Sequence, residues 1–376
     1  MPNSTFRKIA DLFVVAFFVV AISSPLTVLL ARGEGEPAWE NRRLADLPQR
    51  PTNLSEAFHL PRMLAEYFKD HFGLRAEMIR WQALVKVNWL KSSSSPDIII
   101  GKDGCLFYAG EGGVELYSRT KPFTDDELSA WRSYLESVRD AAKGFGASFV
   151  FVVAPEKQTI YPELMPDKLV RLPNASRLDQ LVEYLKGHAD IRVVDVRPAL
   201  FDSKHSRRAY FLTDTHWSGA GAFAAYQTIV RELGKEFGGM QPLAASDCAA
   251  SITSTKGGDL AGMLGLYDVL TEDKYIMVPK RPRAQLARNC FDRGRCTSRV
   301  EGASLPRLYM QRDSFSSYLI PLLAEHFSEG LYVWDVRPGW HPDLIEAARP
   351  NVVLLEMSER SLLLPPPEGP QSTGGH

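Results

Sequence analysis

Two short segments about a hundred residues apart contain the residue types of an activated serine nucleophile. Residues 214–218 read Asp-Thr-His-Trp-Ser, and residues 312–316 read Arg-Asp-Ser-Phe-Ser. A serine hydroxyl becomes a useful nucleophile at neutral pH when an imidazole takes its proton and a carboxylate holds that imidazole in the right tautomer. Asp214 and His216 can project to one side of an extended segment, because alternate residues share a face. Together with Ser314, they are candidates for a catalytic triad.

The Asp-x-His pattern alone leaves other interpretations open. It could equally be half of a metal site or a hydrogen bond within a loop. His205 lies eleven residues before His216, but no third ligand is obvious in the sequence. A zinc site needs at least three protein ligands, so we predict neither a metal nor a cofactor.

Composition excludes few classes of protein. The chain has 376 residues, of which 45% are hydrophobic and 24% charged, as in an ordinary globular protein of one large or two smaller domains. Its formal net charge of -1 gives no electrostatic footprint for nucleic acid. We therefore expect no nucleic-acid partner.

The N-terminus differs from this ordinary pattern. Arg7 and Lys8 precede an apolar run over residues 12–31, and acidic residues follow it. Twenty helical residues span roughly 30 Å, about one hydrocarbon core. The basic flank predicts a cytoplasmic N-terminus with the remaining chain outside. A cleaved signal peptide is the competing interpretation; we favour a retained anchor because no good cleavage site follows the run.

Four cysteines fit an exported protein. Cys290 and Cys296 bracket a polar, glycine-containing stretch that could turn back and let them form a disulfide. Cys105 and Cys248 either pair with each other or remain free, and the sequence does not choose between these connectivities.

Apolar periodicity predicts two helices over residues 55–90, broken near residues 72–73, and then alternating strands and helices. The predicted strands are 98–100 and 106–108 as a hairpin, then 148–153, 192–196, 307–311, 331–336 and 352–355. The predicted helices are one that Thr124 and Glu127 begin with a capping box, then 177–188, 220–237 and 318–327. This alternation predicts an α/β fold with a doubly wound, mostly parallel sheet.

Ligands of such sheets bind outside the carboxyl ends of the strands. Polar residues follow three of the predicted strands, at 155–157, 312–314 and 356–360. Ser314 falls in a strand-to-helix turn, where backbone N–H groups without intrahelical partners could bind an oxyanion.

The N-terminal apolar run, the predicted helices and strands and the composition of the tail divide the chain into four parts. Residues 1–34 are a cytoplasmic N-terminus and transmembrane anchor, or an uncleaved signal, and residues 35–95 are a tether and helical segment. Residues 96–364 form the predicted catalytic domain. Residues 365–376 are rich in proline and glycine and are predicted to be a disordered tail.

Residues 214–220 and 312–315 resemble the two signatures of the alginate O-acetyltransferase family of the AlgJ and AlgX type. Residues 40–45, 101–108, 154–163 and 256–261 agree with the same family, and the similarity covers roughly residues 40 to 360. The resemblance implies a topologically rearranged SGNH-hydrolase-like domain. Ordinary SGNH enzymes have a glycine where this chain has Arg312, and they present the motifs in the opposite order.

The resemblance also implies a function. It points to an enzyme of the bacterial inner membrane, single-pass and with its catalytic domain in the periplasm, that acetylates hydroxyls of an exopolysaccharide, alginate-like or cellulose-like. Ser314 would attack an acetyl donor, His216 would remove its proton, and Asp214 would orient the imidazole. A sugar hydroxyl would then take the acetyl group from the serine. A membrane-bound O-acyltransferase is the expected partner that delivers acetyl groups.

Four further residues are candidates for binding substrate or the oxyanion. Lys157 and Tyr161 follow a strand end and are either substrate contacts or ordinary loop residues. Trp217 either stacks on a sugar ring or packs in the core. Arg312 either holds a carboxylate of an acidic sugar or makes a structural ion pair. We interpret Asp313 as a turn or capping residue.

Two other functions fit the same residues. Water in place of the sugar would make the protein a carbohydrate acetylesterase, and the triad cannot distinguish the two reactions. A non-catalytic scaffold of an acylation or secretion complex is the alternative of a different class.

Overall fold

The computed structural model of the protein describes residues 4–32, 44–90, 92–288, 290, 293–302, 304–335 and 339–370. The chain divides into two compact units. The first comprises residues 1–95 with residues 261–270, and the second comprises residues 96–260 with residues 271–376. The predicted catalytic domain of residues 96–364 thus contains one segment that belongs to the first unit.

Within the described residues, the helices are α1 (Ser4–Arg32), α2 (Leu54–Asp70), α3 (Arg75–Asn88), α4 (Gly113–Ser118), α5 (Asp125–Gly144), α6 (Lys157–Ile160), α7 (Arg177–His188), α8 (Arg197–Ser206), α9 (Gly219–Gly234), α10 (Asp259–Met263), α11 (Ile320–Leu323) and α12 (Pro342–Ala348). The strands are β1 (Ile98–Ile100), β2 (Leu106–Tyr108), β3 (Ser148–Ala154), β4 (Arg192–Val194), β5 (Cys248–Lys256), β6 (Thr271–Pro279), β7 (Gln285–Leu286), β8 (Arg295–Arg299), β9 (Arg307–Arg312), β10 (Glu329–Trp334) and β11 (Val352–Ser358).

The second unit is built on a seven-stranded sheet with the order β4-β3-β11-β9-β10-β8-β7. The first five strands are parallel, and β8 and β7 add an antiparallel edge. Two hairpins, β1–β2 and β5–β6, lie outside this sheet. The mostly parallel sheet predicted from the alternating elements is confirmed.

Apolar residues bury both faces of the sheet. In β3, Val150 and Val152 belong to one core cluster, which includes Ala225 and Ile229 of α9. The alternate β3 residues belong to a second cluster, with residues of α5 and α7. This two-sided burial explains why β3 is a continuous apolar run, as is typical of strands in parallel sheets.

The elements that flank the sheet largely follow their sequence signals. Thr124 accepts a hydrogen bond from the Glu127 N–H and the Glu127 side chain accepts one from the Thr124 N–H, which is the predicted capping box. Helix α7 spans the predicted residues, and β1 and β2 form the predicted hairpin.

The predicted helix over residues 318–327 is confirmed only in part, because it is not one continuous α-helix. The segment is a 3₁₀ helix over Ser314–Tyr318, the four-residue α11 and a second 3₁₀ turn over Ala324–His326. Pro321 lies in the first turn of α11 and cannot donate the N–H that a continuous helix from the preceding turn would need.

The first unit contains the apolar N-terminal helix and the α2–α3 pair. Arg7–Leu29 of α1 is the one described helix long and apolar enough to cross a membrane. Asn53 caps α2 by accepting a hydrogen bond from the Glu56 N–H, and the helix pair is broken where the sequence predicted. Part of one quoted motif, residues 40–43, lies outside the described residues.

Two other predictions concern the cysteines and the tail. Cys290 and Cys296 form the predicted disulfide, with Cα atoms 4.9 Å apart, whereas Cys105 and Cys248 are buried and free. Gly369 lies against Tyr134 and Ser137 of α5, so that part of the predicted disordered tail is packed on the domain. Residues 371–376 lie outside the described residues.

Candidate active site

Asp214 and His216 lie on a loop whose two ends are joined by backbone hydrogen bonds. Tyr210 and Trp217 form an antiparallel bridge, and the Ser218 N–H donates to the Ala209 carbonyl at 2.8 Å. Ser218 then begins α9 by accepting from the Ala220 N–H. The two predicted triad residues are thus held between a bridge and a helix start; we call residues 209–218 the His216 loop.

Within this loop, Asp214 holds the His216 ring. His216 Nδ1 lies 2.7 Å from Asp214 Oδ1, which also accepts from the His216 backbone N–H at 3.0 Å. Since the carboxylate can only accept, Nδ1 carries the proton and Nε2 faces away. Nε2 is buried, and no hydrogen-bond partner for it exists in the part of the chain that the structure describes. This is the tautomer and orientation that a general base needs.

The two groups perturb each other's protonation. Burial favours a neutral Asp214, but the hydrogen bonds and charge of His216 outweigh burial and hold the pKa of Asp214 well below its ordinary value. Burial lowers the pKa of His216, but the hydrogen bond to Asp214 and the nearby carboxylates outweigh it, so this pKa is raised. The pair therefore stabilises an imidazolium once His216 takes a proton.

A second carboxylate, Asp259, lies beside the same ring. Its Oδ2 is 3.8 Å from His216 Nδ1, its Oδ1 accepts from the Thr215 N–H at 2.7 Å, and its own N–H donates to Asp214 Oδ2 at 3.3 Å. Desolvation and the charge of Asp214 raise the pKa of Asp259. Gly258 makes this approach possible, because a Cβ there would lie 2.3 Å from the Asp214 Cβ.

Glu272 of β6 holds the part of the His216 loop that directly precedes Asp214. Its buried carboxylate accepts from the Leu212 N–H at 2.9 Å and from the Thr213 backbone and hydroxyl. The Thr213 hydroxyl oxygen in turn accepts from the Gly258 N–H at 2.9 Å. One side chain therefore ties the loop to the β5–β6 hairpin.

Ser314 begins the 3₁₀ turn that follows β9; we call residues 313–318 the Ser314 turn. Asp313 caps the turn, since its side chain accepts from the Phe315 N–H at 2.9 Å and from the Ser358 N–H at 2.8 Å. The interpretation of Asp313 as a capping residue is confirmed. This cap engages the Phe315 N–H, so the predicted backbone donors to an oxyanion at this turn do not include Phe315.

The two predicted segments meet through Phe315, the neighbour of Ser314. The Phe315 ring lies 5.0 Å from the His216 ring and 5.2 Å from the Trp217 ring, centroid to centroid. Trp217 Nε1 also donates to the Phe315 carbonyl at 2.9 Å. The structure therefore brings the Ser314 turn into contact with the His216 loop, with Ser314 itself half-buried.

Of the other candidates, Lys157 and Tyr161 make internal contacts. Lys157 is buried and donates to the carbonyls of Leu106 at 2.6 Å and Leu212 at 3.4 Å, and burial lowers its pKa. The Tyr161 hydroxyl accepts from the Ala209 N–H at 2.7 Å. Both side chains support the loops that carry the site, and neither contact favours a direct role with substrate.

Trp217 and Arg312 are fully buried. Trp217 packs on the Ser314 turn rather than facing a sugar. Arg312 donates to the Cys290 carbonyl at 3.0 Å, and its guanidinium lies 4.6 Å from the Trp334 ring centroid. These contacts favour the structural alternative for both residues, and they connect Arg312 to the disulfide loop.

Asp214, His216 and Asp259 also form the one described cluster whose ligand atoms lie close enough to hold a metal ion, all within 4.8 Å of one another. His216 Nδ1 is already engaged by Asp214, so a cation there would compete with that hydrogen bond. The contacts therefore fit an acid–base pair with a second carboxylate better than they fit a metal centre.

Several groups of the site had no role in the sequence interpretation. Gly258 and Asp259 lie within the motif at residues 256–261, and Glu356 of β11 and Arg360 lie in the polar stretch at residues 356–360, but neither position identified a function. Glu272 had no distinguishing signal, because an isolated glutamate in a strand is common on protein surfaces.

Comparison with known proteins adds to this geometry. Residues 98–287 match the family described as the SGNH hydrolase-like domain of the acetyltransferase AlgX. This match covers half of the chain, including the His216 loop and the β5–β6 hairpin.

Curated relatives are named probable alginate O-acetylase AlgJ. The protein of Pseudomonas aeruginosa is 28% identical over 195 residues, which are 51% of this chain and 44% of the relative. That of Pseudomonas syringae pv. tomato is 28% identical over 134 residues, 33% of this chain and 34% of the relative. The chain therefore spans less than half the length of these relatives.

Solved structures share the fold. The O-acetyltransferase domain of Pseudomonas putida AlgJ matches 74% of this chain and 96% of its own, with a TM-score of 0.50 and 18% identity. Bacillus cereus PatB1 matches 70% of this chain and 96% of its own, with a TM-score of 0.53 and 16% identity. The predicted SGNH-hydrolase-like fold is confirmed.

Proposed function

We propose that this chain, which belongs to the family described as the SGNH hydrolase-like domain of the acetyltransferase AlgX, is a polysaccharide O-acetyltransferase that works through an acetyl-serine. Ser314 is the nucleophile, His216 the general acid–base and Asp214 the carboxylate that orients it. The acceptor is a hydroxyl of an exported polysaccharide, alginate-like or cellulose-like.

One observation carries the proposal. Asp214 holds His216 Nδ1 at 2.7 Å, while the opposite nitrogen is buried, has no partner in the described part of the chain and belongs to a ring in contact with Phe315 of the Ser314 turn. An orienting acid, a base and a serine on the turn that contacts this base are the components that acyl transfer needs. A loop histidine with a purely structural role would be expected to use both ring nitrogens.

In the first half-reaction, Ser314 Oγ forms a bond with the carbonyl carbon of an acetyl donor, and its proton passes to His216 Nε2. The tetrahedral intermediate then collapses, and the donor's leaving group departs with the proton from His216. The product is an ester between acetate and Ser314.

The second half-reaction reverses these roles. His216 Nε2 takes the proton of a sugar hydroxyl while that oxygen attacks the acetyl carbon. The sugar ester forms as the bond to Ser314 Oγ breaks, and the serine recovers its proton from His216. The raised pKa of His216 stabilises the imidazolium of both steps, and the ionised Asp214 supplies the compensating charge.

The membrane helix supports the proposed location. Arg7 and Lys8 lie at the N-terminal end of the apolar span Arg7–Leu29. Basic residues are retained on the cytoplasmic side, so this order favours a single-pass inner-membrane protein with its catalytic domain in the periplasm. A membrane-bound O-acyltransferase beside this helix is the proposed source of acetyl groups, because the protein acts where cytoplasmic acetyl donors are absent.

The proposal is tested by incubating the full chain with a chromogenic acetyl ester, with and without an oligosaccharide. We expect ester turnover that Ser314→Ala abolishes and Ser317→Ala preserves, because Ser317 is in the same turn but only accepts a long 3.4 Å hydrogen bond from Arg312. Mass spectrometry should find acetyl groups on the sugar. Acetate release without sugar acetylation would identify an esterase, and wild-type turnover by Ser314→Ala would refute the triad.

A further inference from the structure

Four buried carboxyl groups lie behind the Ser314 turn: Asp313, Glu356, Glu156 and Glu359, here called the acidic cluster. All four are buried, and Glu356 and Glu359 have no exposed surface. They come from the ends of three neighbouring strands, β3, β9 and β11. The mechanism above uses none of them as a base or nucleophile, so their presence behind the reacting centre needs a separate explanation.

Asp313 and Glu356 form the part of the cluster nearest to Ser314. Glu356 Oε2 accepts from the Asp313 N–H at 3.1 Å and from the Ser316 hydroxyl. Asp313 in turn accepts from Phe315 and Ser358. The two carboxyls therefore hold the residues on either side of Ser314, and they determine the path of the turn.

The second carboxyl oxygen of Glu356 bears on whether this side chain is ionised or neutral. Glu356 Oε1 is buried, and no donor to it occurs within the described segments. An ionised carboxylate in such a place loses its hydration without compensation, which is strongly unfavourable. A neutral carboxylic acid instead has a proton to donate, and the adjacent Asp313 is an acceptor.

The charges around the cluster lead to the same assignment. Arg360 lies 2.8 Å from Glu156, and Arg312 is the cation whose charge acts on both Glu356 and Asp313. Arg119 and Arg197 act on Glu359, and Arg360 acts on Glu156 and Asp313, which leaves Arg312 as the guanidinium among the described residues that acts on Glu356. Burial and the charge of Asp313 raise the pKa of Glu356 well above its ordinary value, and burial raises the pKa of Glu359 to about 7.

We propose that Glu356 is a positioning residue that holds the Ser314 turn as a neutral carboxylic acid, with its proton shared with Asp313. This inference rests on the proposed function. The neutral form keeps the cap of the turn intact, and it keeps a second negative charge away from the carbonyl oxygen that becomes an oxyanion in each half-reaction. An anion behind that oxygen would oppose the charge that develops in the transition state.

The test compares Glu356→Gln with Glu356→Ala. Glutamine reproduces the neutral acid, because its carbonyl accepts from Asp313 N–H and Ser316 while its amide donates to the Asp313 carboxylate. We expect the Gln variant to keep kcat within about threefold of wild type, and the Ala variant to lose on the order of 10²-fold in kcat with little change in KM. Glu359→Gln, a buried carboxyl farther along the same cluster, is the matched control and should keep wild-type kcat.

Infrared spectroscopy reports the protonation state directly. At pH 8, where Glu359 is mostly ionised, wild type should show a protonated-carboxyl band that disappears in Glu356→Gln. An absent band, or a Gln variant as impaired as the Ala variant, would overturn the proposal, because either result means that Glu356 works as a carboxylate. Wild-type kcat in Glu356→Ala would also overturn it.

A sulfonyl fluoride that labels serine separates this inference from the proposed function. If wild type labels at Ser314 but acetylates no sugar, the transferase proposal fails. The labelling rates of the Gln and Ala variants still test whether Glu356 positions the serine, with retention expected for Gln and about 10²-fold slowing for Ala.

Discussion

The His216 loop and the Ser314 turn both depend on buried carboxyl groups, but their surroundings differ. In the loop, Asp214 faces an imidazole that can carry a positive charge, and its pKa is lowered. In the turn, Glu356 faces another carboxyl, and its pKa is raised. Under the proposed assignment, the same functional group is an ion on one side of the site and a neutral acid on the other.

This difference shows how a fold assigns separate roles to chemically similar side chains. The loop must stabilise an imidazolium, so it places Asp214 in contact with the ring and Asp259 beside it. The turn must hold a nucleophile without adding negative charge, and a neutral Glu356, as proposed above, meets that requirement. The comparison predicts that removing charge harms the loop and leaves the turn largely unaffected.

The largest losses of kcat should follow from substitutions of Ser314, His216 and Asp214. Ser314→Ala and His216→Ala should each lower kcat on the order of 10⁴-fold, and the double variant should lose no more than either one, because the two residues act as a unit. Asp214→Asn should approach the same loss through the wrong tautomer. Steady-state kinetics with an acetyl ester measure this, and multiplicative losses would show that the residues act independently.

A smaller effect should follow from crowding Asp214. A Cβ in Gly258→Ala would lie 2.3 Å from the Asp214 Cβ and 2.7 Å from its Oδ2. The carboxylate must move, and a displacement of this size costs on the order of 10²-fold in rate. Gly262→Ala, whose Cβ would meet nothing within 4 Å, is the control. Equal activity of the two variants would mean that the position of Asp214 does not limit catalysis.

Asp259→Asn should change the pH profile more than the maximal rate. The charge of Asp259 contributes to the raised pKa of His216. Without it, this pKa falls, and His216 remains a neutral base at lower pH, so the acidic limb of kcat against pH should move to lower pH. We expect the rate at the optimum to fall by about tenfold or less, by analogy with outer partners of catalytic groups. An unchanged limb would show that Asp259 does not act on the imidazole.

The smallest effect concerns the contribution of Glu359, in the acidic cluster behind the Ser314 turn, to the stability of the fold. The folded-state pKa of Glu359, about 7, lies above the ordinary value of 4.5. The folded protein therefore binds the extra proton between these values, and stability is lost as pH rises from 4.5 through 7, by at most about 3 kcal/mol. Glu359→Gln should remove this loss, so its melting temperature relative to wild type should rise between pH 5 and pH 8. Glu346→Gln, on an exposed glutamate of α12, should leave the difference flat; a flat result for Glu359→Gln would contradict the assignment.

Much of the fold could be predicted because local signals and packing agree. Residues that are close in sequence determine three such features: the apolar run of β3, the Thr124–Glu127 capping box and the β1–β2 hairpin. The segment after Ser314 was predicted only in part, because its apolar spacing is helical, while Pro321 interrupts the backbone hydrogen bonds.

The candidate site could be predicted only in part. The Asp-x-His spacing is local, so Asp214 and His216 could be identified together, and Ser314 was a candidate from its place in a predicted strand-to-helix turn, to which the family resemblance then gave a role. Asp259, Glu272 and Glu356 approach the site only through the folding of distant segments, and single carboxyl residues carry no pattern of their own. Lys157 and Trp217 lie next to motifs, but their side chains turn inward, and sequence does not show that direction.

The acetyl-serine intermediate can be observed directly. The full chain is mixed with an acetyl ester in the absence of sugar, quenched in acid, digested and analysed by mass spectrometry. We predict one acetyl group on the peptide that contains Ser314, absent from Ser314→Ala and removed when an acceptor oligosaccharide is added before the quench. Acetylation at another residue, or turnover with an unmodified Ser314 under conditions where the intermediate should accumulate, would contradict the role of the Ser314 turn as the acetyl carrier.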